Sequence, residues 1–340
     1  MKNAIIYLLL FALTGCVEPY TAKTKGIDSI LVVEGFITDG TTKISLSYSV
    51  RLDKKSHDTQ QKVNHAMVFV ESEDSATSEI AGSSGGGIYL IETGELNANT
   101  NYRLNIQLDG EEYRSSFIAP VMTPPVEITF AQDAIKNNIE VCVSTQGNDR
   151  QPGYYLWSYK EDWEVNALIY EANLYDHYYC WKKDSSKYLI LGTTEKLSVN
   201  SIHEKNIKTF RCTDDRISIL YRIKVTQNAL HKEGYDYFEN LQKNTEQTGS
   251  IFGAIPSELM GNIRCVSNPK IPVIGYVDVS TTTMDELYLT DIYFDWTERI
   301  RLIESCTLAK EIEYQMFCRD CTQMSGASKT KPDDWPNDHQ

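Results

Sequence analysis

The sequence predicts a mainly β protein with two domains. An antiparallel β-sandwich is expected over residues 27–120, and a larger β-rich domain with one clear helix over residues 121–310. Short apolar runs separated by turn signals recur roughly every ten residues, which is typical of a sandwich. The pattern breaks at Pro120, Pro124 and Pro125. Since proline cannot donate to a strand ladder, this stretch is the predicted domain boundary.

In the first domain the predicted strands are Ile30–Ile37, Ile44–Val50, Ala66–Val70, Ile88–Ile91, Tyr102–Leu108 and Tyr113–Ile118. Residues 44–50 alternate apolar and polar side chains without error, which predicts one buried and one exposed face. Thr38-Asp39-Gly40 predicts a turn, and Asp109-Gly110 is the strongest short hairpin signal in the chain. Ser83–Gly87 lacks the Lys-Ser/Thr and the helix that follow a phosphate-binding loop, so a hairpin tip is predicted there.

In the second domain the predicted strands are Val126–Phe130, Ile139–Val143, Tyr188–Leu191, Ile217–Val225, Val273–Val279 and Glu286–Phe294. One helix is predicted, because Leu230, Tyr237 and Leu241 recur at helical spacing. Asn228 is placed to cap its start, and Gly249 is placed to follow its end.

The amino terminus predicts a lipid anchor. Lys2 precedes an apolar run over residues 4–13, which is shorter than the roughly 20 residues that span a bilayer. The run is therefore typical of a secretory signal, residues 1–15. Leu13-Thr14-Gly15-Cys16 has the pattern of a bacterial lipobox, in which the thiol is diacylglycerated and cleavage leaves Cys16 as the new amino terminus. We expect Cys16 to anchor the chain in a membrane, followed by a polar linker over residues 16–26; a coincidental cysteine is the alternative.

The charge balance excludes one class of partner. The chain carries 33 Lys and Arg against 47 Asp and Glu, and removing Lys2 with the signal changes the formal charge from −14 to −15. Nucleic-acid binding needs concentrated basic residues, so no nucleic-acid partner is expected. An acidic surface suits a protein that stays soluble beside anionic lipid.

The remaining cysteines predict disulfides, because exported proteins meet an oxidising environment. The candidates are Cys142, Cys180, Cys212, Cys265, Cys306, Cys318 and Cys321. Their odd number predicts that about one stays unpaired, and their spacing leaves the connectivity open. Cys318 and Cys321 have the C-x-x-C spacing of a redox motif, or of half a zinc site with Cys306 and His339. A poor helix follows and no second C-x-x-C exists, so disulfides that secure the tail, residues 311–340, are favoured.

Ten aromatic residues crowd positions 153–181. Tyr155, Trp157 and Tyr159 alternate and are expected to pack on one sheet face. The part from Tyr170 to Trp181 follows no strand or helix period, and exposed rings bind sugars or peptides and anchor interfaces. The candidate ligand- or partner-binding residues are therefore Tyr170, Tyr175, Tyr178, Tyr179 and Trp181.

The sequence contains none of the common catalytic motifs. Its six histidines form no i, i+4 pair, and there is neither an H-E-x-x-H helix nor a G-x-S-x-G elbow. The acidic clusters Glu71–Asp74 and Asp214-Asp215 lack calcium-loop spacing and are expected to be solvated loops. We expect no cofactor, no resident metal and no enzyme activity. A glycan- or peptide-acting hydrolase is the alternative, because a β-fold can bring two carboxylates together from distant positions.

A family resemblance rests on segments spread over nearly the whole mature chain: Cys16–Pro19, Leu31–Gly35, Gly153–Trp157, Tyr179–Trp181, Tyr221–Gln227, Tyr235–Glu239, Gly261–Cys265, Ile274–Tyr276, Cys318–Cys321 and Lys331–Pro336. In this order they resemble a family of bacterial lipoproteins catalogued as domain of unknown function 4249. The resemblance implies an outer-membrane lipoprotein of Bacteroidetes-type bacteria with an immunoglobulin-like N-terminal sandwich. It also implies a place beside TonB-dependent receptors of the SusC kind, and it assigns no reaction and no catalytic residue.

From the resemblance we expect a non-enzymatic outer-membrane lipoprotein, exposed on the cell surface rather than in the periplasm, that helps a SusC-like transporter to capture or present an unidentified nutrient. A structural role in envelope assembly is a further alternative. Asp28-Ser29-Ile30 and Asp74-Ser75-Ala76 resemble the O-glycosylation sites of such bacteria. Ser29 and Ser75 are therefore expected to be modified.

Overall fold

The computed structural model describes residues 30–49, 61–74, 76–147, 153–170, 176–248, 261–308 and 318–336. Strands dominate these ranges, so the predicted mainly β fold class is confirmed. None of the helices in the described ranges has the length and apolar character needed to cross a membrane.

The described strands are, in chain order, β1 (Leu31–Ile37), β2 (Gly40–Tyr48), β3 (Gln61–Lys62), β4 (Met67–Ser72), β5 (Ser83–Gly85), β6 (Ile88–Gly94), β7 (Tyr102–Leu108), β8 (Glu111–Ser115), β9 (Val126–Asp133), β10 (Asn138–Gln146), β11 (Tyr154–Asn166), β12 (Tyr179–Ser185), β13 (Ile190–Thr193), β14 (Ser201–Arg211), β15 (Leu220–Ala229), β16 (Ile263–Cys265), β17 (Val273–Ile274), β18 (Asp278–Val279) and β19 (Thr282–Thr290). The described α-helices are α1 (Lys232–Thr248) and α2 (Trp296–Leu308).

The first sandwich consists of two sheets that share one apolar core. One sheet has the order β17-β1-β2-β6-β5, with β18 also on β1 and β3 also on β2, and the other has the order β16-β8-β7-β4. Ile44 and Leu46 of β2 pack with Val68 of β4 in this core. Asp109 and Gly110 connect β7 to β8 with φ angles of 53° and 82°, so the predicted two-residue hairpin loop is confirmed.

Residues from late in the chain complete the first sandwich. β16 lies antiparallel to β8, and β17 and β18 lie parallel to β1. The stretch 263–279, which the sequence places in the second domain, thus pairs with the first. Gly275, between β17 and β18, has φ +145°, and a Cβ there would lie 2.2 Å from the carbonyl oxygen of Val33. The close approach of the Gly275 backbone to β1 therefore requires glycine.

The second sandwich packs the sheet β14-β10-β9 against the sheet β12-β11-β15-β19, with β13 on β11. Tyr155 and Trp157 of β11 lie in its core as the sequence predicts, and Tyr159 packs against it. β14 was not predicted. Most of its residues are polar, and only Ile202 and Phe210 are buried, so its sequence lacks the apolar alternation that marks a strand.

Two helices flank the second sandwich. α1 begins at Lys232 and packs over the outer face of β11, against Tyr154 and Leu156. Asn228 does not cap it, because Asn228 belongs to β15 and donates a hydrogen bond to Thr282 Oγ1 (2.9 Å). The predicted cap at Gly249 lies outside the described residues.

Helix α2 was not predicted, although the sequence contains a signal for its start. Asp295 Oδ1 accepts the backbone N–H of Thr297 (3.0 Å), which is the hydrogen bond of an N-cap residue. Glu298 follows three residues after Asp295, which is capping-box spacing. The predicted strand at 286–294 masked this signal, whereas β19 ends at Thr290.

Candidate binding surface

Two disulfides fasten the C-terminal tail to the second sandwich. Cys321 pairs with Cys180 of β12, and Cys318 pairs with Cys306 of α2. The prediction that disulfides secure the tail is confirmed. Cys318 and Cys321 pair with different partners rather than with each other, so they do not form the dithiol of a redox motif.

The tail also covers the free edge of β12. Ser328 and Trp181 exchange two backbone hydrogen bonds of 2.9 Å, and Lys329 Nζ donates to the carbonyl oxygen of Tyr179 (2.8 Å). Trp335 is buried against the outer face of the same sheet. The edge and outer face of this sheet near β12 are thus occupied by the chain's own residues.

The expectation of about one unpaired cysteine is wrong. Cys142, Cys212 and Cys265 are all buried and unpaired. Cys142 lies on β10 of the second sandwich and Cys265 on β16 of the first, so the fold separates them. Burial, with the charges of Glu140 and Glu204, raises the pKa of the Cys142 thiol. A buried, protonated thiol packs as a small apolar side chain. The prediction from the number of cysteines therefore gave too many disulfides.

Three of the five candidate aromatic residues form a surface cluster, the tyrosine stack: Tyr170, Tyr178 and Tyr179. The ring centroids of Tyr170 and Tyr178 are 5.0 Å apart at an interplanar angle of 90°. Those of Tyr178 and Tyr179 are 4.7 Å apart at 81°. Tyr170 is 55% exposed, and the other two rings are half-buried. Edge-to-face contacts hold the exposed ring in a defined orientation.

The other predicted site residues are placed differently. Trp181 is half-buried on β12 and bridged to the tail, and Tyr175 lies outside the described residues, as do Cys16, Ser29 and Ser75. The interpretation that the stretch up to Trp181 has no strand period is wrong from residue 179 onward, because Tyr179–Ser185 pairs with β11.

Asn166 connects the tyrosine stack to α2. Its Nδ2 donates to the hydroxyl oxygen of Tyr178 (2.6 Å). Its backbone and side-chain oxygens accept hydrogen bonds from Arg299 Nη2. Arg299 is 8% exposed, and burial lowers the pKa of its guanidinium, against the opposing effects of Tyr178 and Asp215.

A buried ionic cluster, the Glu161 cluster, joins the two sheets of the second sandwich. The side chain of Glu161 on β11 is 0% exposed and accepts hydrogen bonds from Tyr221 Oη (2.7 Å) and from Lys208 Nζ of β14 (2.9 Å). Arg216 Nε lies 3.3 Å from the same carboxylate. Burial, together with the Glu161 charge, raises the pKa of Tyr221. Donors of the chain thus surround this carboxylate.

The carboxylates on the outer face of β11 hold the tail. Arg222 Nη2 donates to Asp162 Oδ2 (2.8 Å), and Arg222 Nη1 donates to the carbonyl oxygen of Asp333 (3.2 Å). Trp335 Nε1 donates to Glu164 Oε2 (3.5 Å). Within the described ranges no group of three or more His, Cys, Asp or Glu side chains is arranged to hold a metal ion.

These features define a class of protein: two packed β-sandwiches with a disulfide-fastened tail beside an exposed tyrosine stack. Residues 17–286 match the family model described as a domain of unknown function (DUF4249), and the chain belongs to this family. The match includes the tyrosine stack and ends within β19, before α2 and the tail. No curated protein matches the chain.

Proposed function

We propose that the chain is a non-enzymatic lipoprotein, anchored in the outer membrane through Cys16, that assists a TonB-dependent transporter of the SusC kind in capturing or presenting a nutrient at the cell surface. The tyrosine stack is the surface that contacts the ligand or the transporter. The observation that carries this proposal is the exposed ring of Tyr170, held edge-to-face by Tyr178.

The tyrosine stack has the physical properties of a binding platform. Apolar ring area that stays in water is unfavourable by roughly 25 cal/mol per Å², so burial of the Tyr170 ring in a partner is favourable. Cys180 follows the stack directly, and its disulfide to Cys321 fixes the start of β12. A surface that is ordered before binding loses less conformational entropy when the partner arrives.

The anchor and the disulfides support an exported protein. The lipobox supplies the acyl acceptor, and two or three acyl chains give stable anchoring because each buried CH₂ contributes about 0.8 kcal/mol. Two disulfides within the described residues suit an oxidising compartment. Glu161, Asp162 and Glu164 accept hydrogen bonds from the chain's own donors, which supports a binding role over the hydrolase alternative.

The lipid anchor is tested by Cys16→Ala. The variant should lose acylation and leave the membrane fraction after a high-salt wash, whereas the matched control Cys142→Ala, at an unpaired cysteine, should stay with the outer membrane. Retention of Cys16→Ala in washed outer membranes would contradict the lipoprotein proposal.

The transporter partnership is tested by purifying the chain from detergent-solubilised outer membranes and identifying the proteins that come with it by mass spectrometry. We expect an abundant SusC-like receptor. Recovery of the chain alone, from membranes that contain such receptors, would contradict this part of the proposal.

A further inference from the structure

Arg299 differs from the other buried arginines of the second sandwich. Arg222 donates to the carboxylate of Asp162, and Arg216 lies within ion-pair distance of Asp214 and Glu161. Arg299 is as deeply buried, yet its described partner is the amide and backbone oxygen of Asn166, and no carboxylate of the described residues lies within 4 Å of it. Asp215 acts on Arg299 only through its charge at longer range. A desolvated guanidinium with no carboxylate in contact is unfavourable, and the binding of an anion beside it would stabilise its charge.

The groups around Arg299 are suited to a sugar acid. Trp296, one turn earlier on α2, is 42% exposed, and its ring centroid lies 6.0 Å from the Arg299 guanidinium carbon. On the other side, Asn166 Nδ2 donates to the oxygen of Tyr178. Among the described residues no acceptor takes the Tyr178 O–H, so this hydroxyl can donate to a ligand. Contacts through Asn166 therefore connect the cation Arg299 and the exposed ring of Trp296 to the hydroxyl donor Tyr178.

We infer that Arg299, Tyr178 and Trp296 form a binding site for the carboxylate of an acidic saccharide. Arg299 supplies a positive charge and the N–H groups of Nε and Nη1, which do not bond to Asn166, and Tyr178 supplies a hydroxyl donor. The exposed rings of Trp296 and Tyr170 supply apolar faces for the sugar rings. The inference rests on the proposed function and deepens it by naming the ligand class.

The neighbouring sheet edge favours a saccharide over a peptide. Extended peptides often bind by adding a strand to an open edge, where backbone hydrogen bonds supply the affinity. Here the edge of β12 at Trp181 already pairs with Ser328 of the tail. What this surface still offers is ring faces and side-chain donors, which recognise a ring-shaped, carboxylated ligand.

The test is isothermal titration of the full chain in detergent with tetragalacturonate, with its methyl ester and with a peptide that ends in a free carboxylate. We expect the acid to bind about tenfold or more tightly than the ester, and its binding to weaken with added salt. Equal binding of acid and ester, binding of the peptide alone, or binding of none of the three at concentrations up to about 1 mM would overturn the inference.

Variants separate this site from a general surface effect. Arg299→Met should abolish the preference for the acid over the ester, and Trp296→Ala, at a position that is 42% exposed, should weaken the binding of both probes. Arg301→Ala is the matched control, because Arg301 is an exposed arginine on the same helix, and binding should stay unchanged. If Arg301→Ala weakens binding as much as Arg299→Met, or if Trp296→Ala has no effect, the site is wrong. Membrane anchoring and transporter recovery are measured separately, so their failure is distinguishable from failure of this site.

Discussion

The two sandwiches bury their interiors by different means. The first has a core of aliphatic side chains and tyrosines, and its ion pair between Arg103 and Glu71 is part-buried, with side chains 19% and 23% exposed. The second places the carboxylate of Glu161 between its sheets at 0% exposure and fastens its tail with two disulfides. The first sandwich therefore relies mainly on apolar contacts, whereas the second adds a buried carboxylate cluster and two disulfides to an apolar core of its own.

This difference is related to the polar sequence of strand β14 in the second sandwich. β14 is mostly polar, so the second sandwich has less apolar area with which to fix that strand. Lys208 on β14 reaches Glu161 on β11 instead. The five tryptophans, Trp157, Trp163, Trp181, Trp296 and Trp335, all belong to the second sandwich, its helix or its tail. Tryptophan fluorescence therefore reports on this half of the molecule, while far-UV circular dichroism reports on both.

The largest effect is expected from the long disulfide. A cross-link stabilises by restricting the unfolded chain, and Cys180–Cys321 spans 141 residues whereas Cys306–Cys318 spans 12. The chain-entropy model gives about 5 kcal/mol for the first and about 3 kcal/mol for the second. Urea unfolding followed by tryptophan fluorescence should therefore show a larger loss for the alanine pair at 180 and 321 than for the pair at 306 and 318. Equal losses would contradict the loop-length argument.

Glu161→Gln should destabilise the second sandwich by about 3–5 kcal/mol, because it leaves the part-buried Lys208 without its carboxylate and removes one of the carboxylates that contact Arg216, which keeps Asp214. The matched control is Glu286→Gln. Glu286 pairs with Lys224 at the surface, with side chains 47% and 40% exposed, and the loss there should be about 0–1 kcal/mol. Comparable losses of unfolding free energy would mean that the Glu161 cluster stabilises the fold no more than a surface ion pair.

Gly275→Ala should act on the first sandwich. An added Cβ would meet the carbonyl oxygen of Val33 at 2.2 Å, and the positive φ adds strain, so we expect a loss of about 1–3 kcal/mol. Far-UV circular dichroism should report it while the tryptophan transition stays in place. Gly82→Ala, where nothing lies within 4 Å of the added Cβ, is the control and should stay within about 0.5 kcal/mol of the parent. A shift of the tryptophan transition alone would show that residues 263–279 support the second sandwich instead.

The smallest effect is a pH dependence at the junction of the two sandwiches. His231, which precedes α1, lies 2.6 Å through Nδ1 from Asp278 of β18, and this hydrogen bond, with Glu233 nearby, raises the pKa of His231. The contribution is complete below the unfolded-state pKa of about 6.5 and is lost as the pH rises through the folded-state pKa.

The His231 effect is measured by urea unfolding at about pH 6 and at about pH 9. Stability should fall towards pH 9 by more in the parent chain than in His231→Gln. The same fall in both proteins would assign the pH dependence to other groups.

Local chemistry in the sequence predicted local structure well. Asp109-Gly110 specified its hairpin, and the alternation of Tyr155 and Trp157 specified their core face. The pairing of β1 with β17 and β18 was not predictable, because it joins residues from opposite ends of the chain and no short-range pattern encodes it.

The candidate site was predictable in part. Aromatic composition identified Tyr170, Tyr178 and Tyr179, which the structure brings together. Arg299 was missed because α2 was missed, and a lone arginine in a sequence carries no sign of whether a carboxylate will face it. Disulfide connectivity was equally hidden, since burial and not number decides which cysteines remain thiols.

The most direct test of the central claim, that the second sandwich carries the partner surface, compares two residues of the tyrosine stack with two exposed apolar residues of the first sandwich. Tyr170→Ala with Tyr178→Ala alters the tyrosine stack, and Met67→Ala with Leu90→Ala alters exposed side chains of the first sandwich, at 46% and 49% exposure. The measurement is recovery of the transporter with each variant from solubilised outer membranes, beside its melting temperature. We predict that the tyrosine pair loses the transporter with a melting temperature within a few degrees of the parent, and that the control pair retains it. Retention by the tyrosine variant, or loss by the control, would contradict the account.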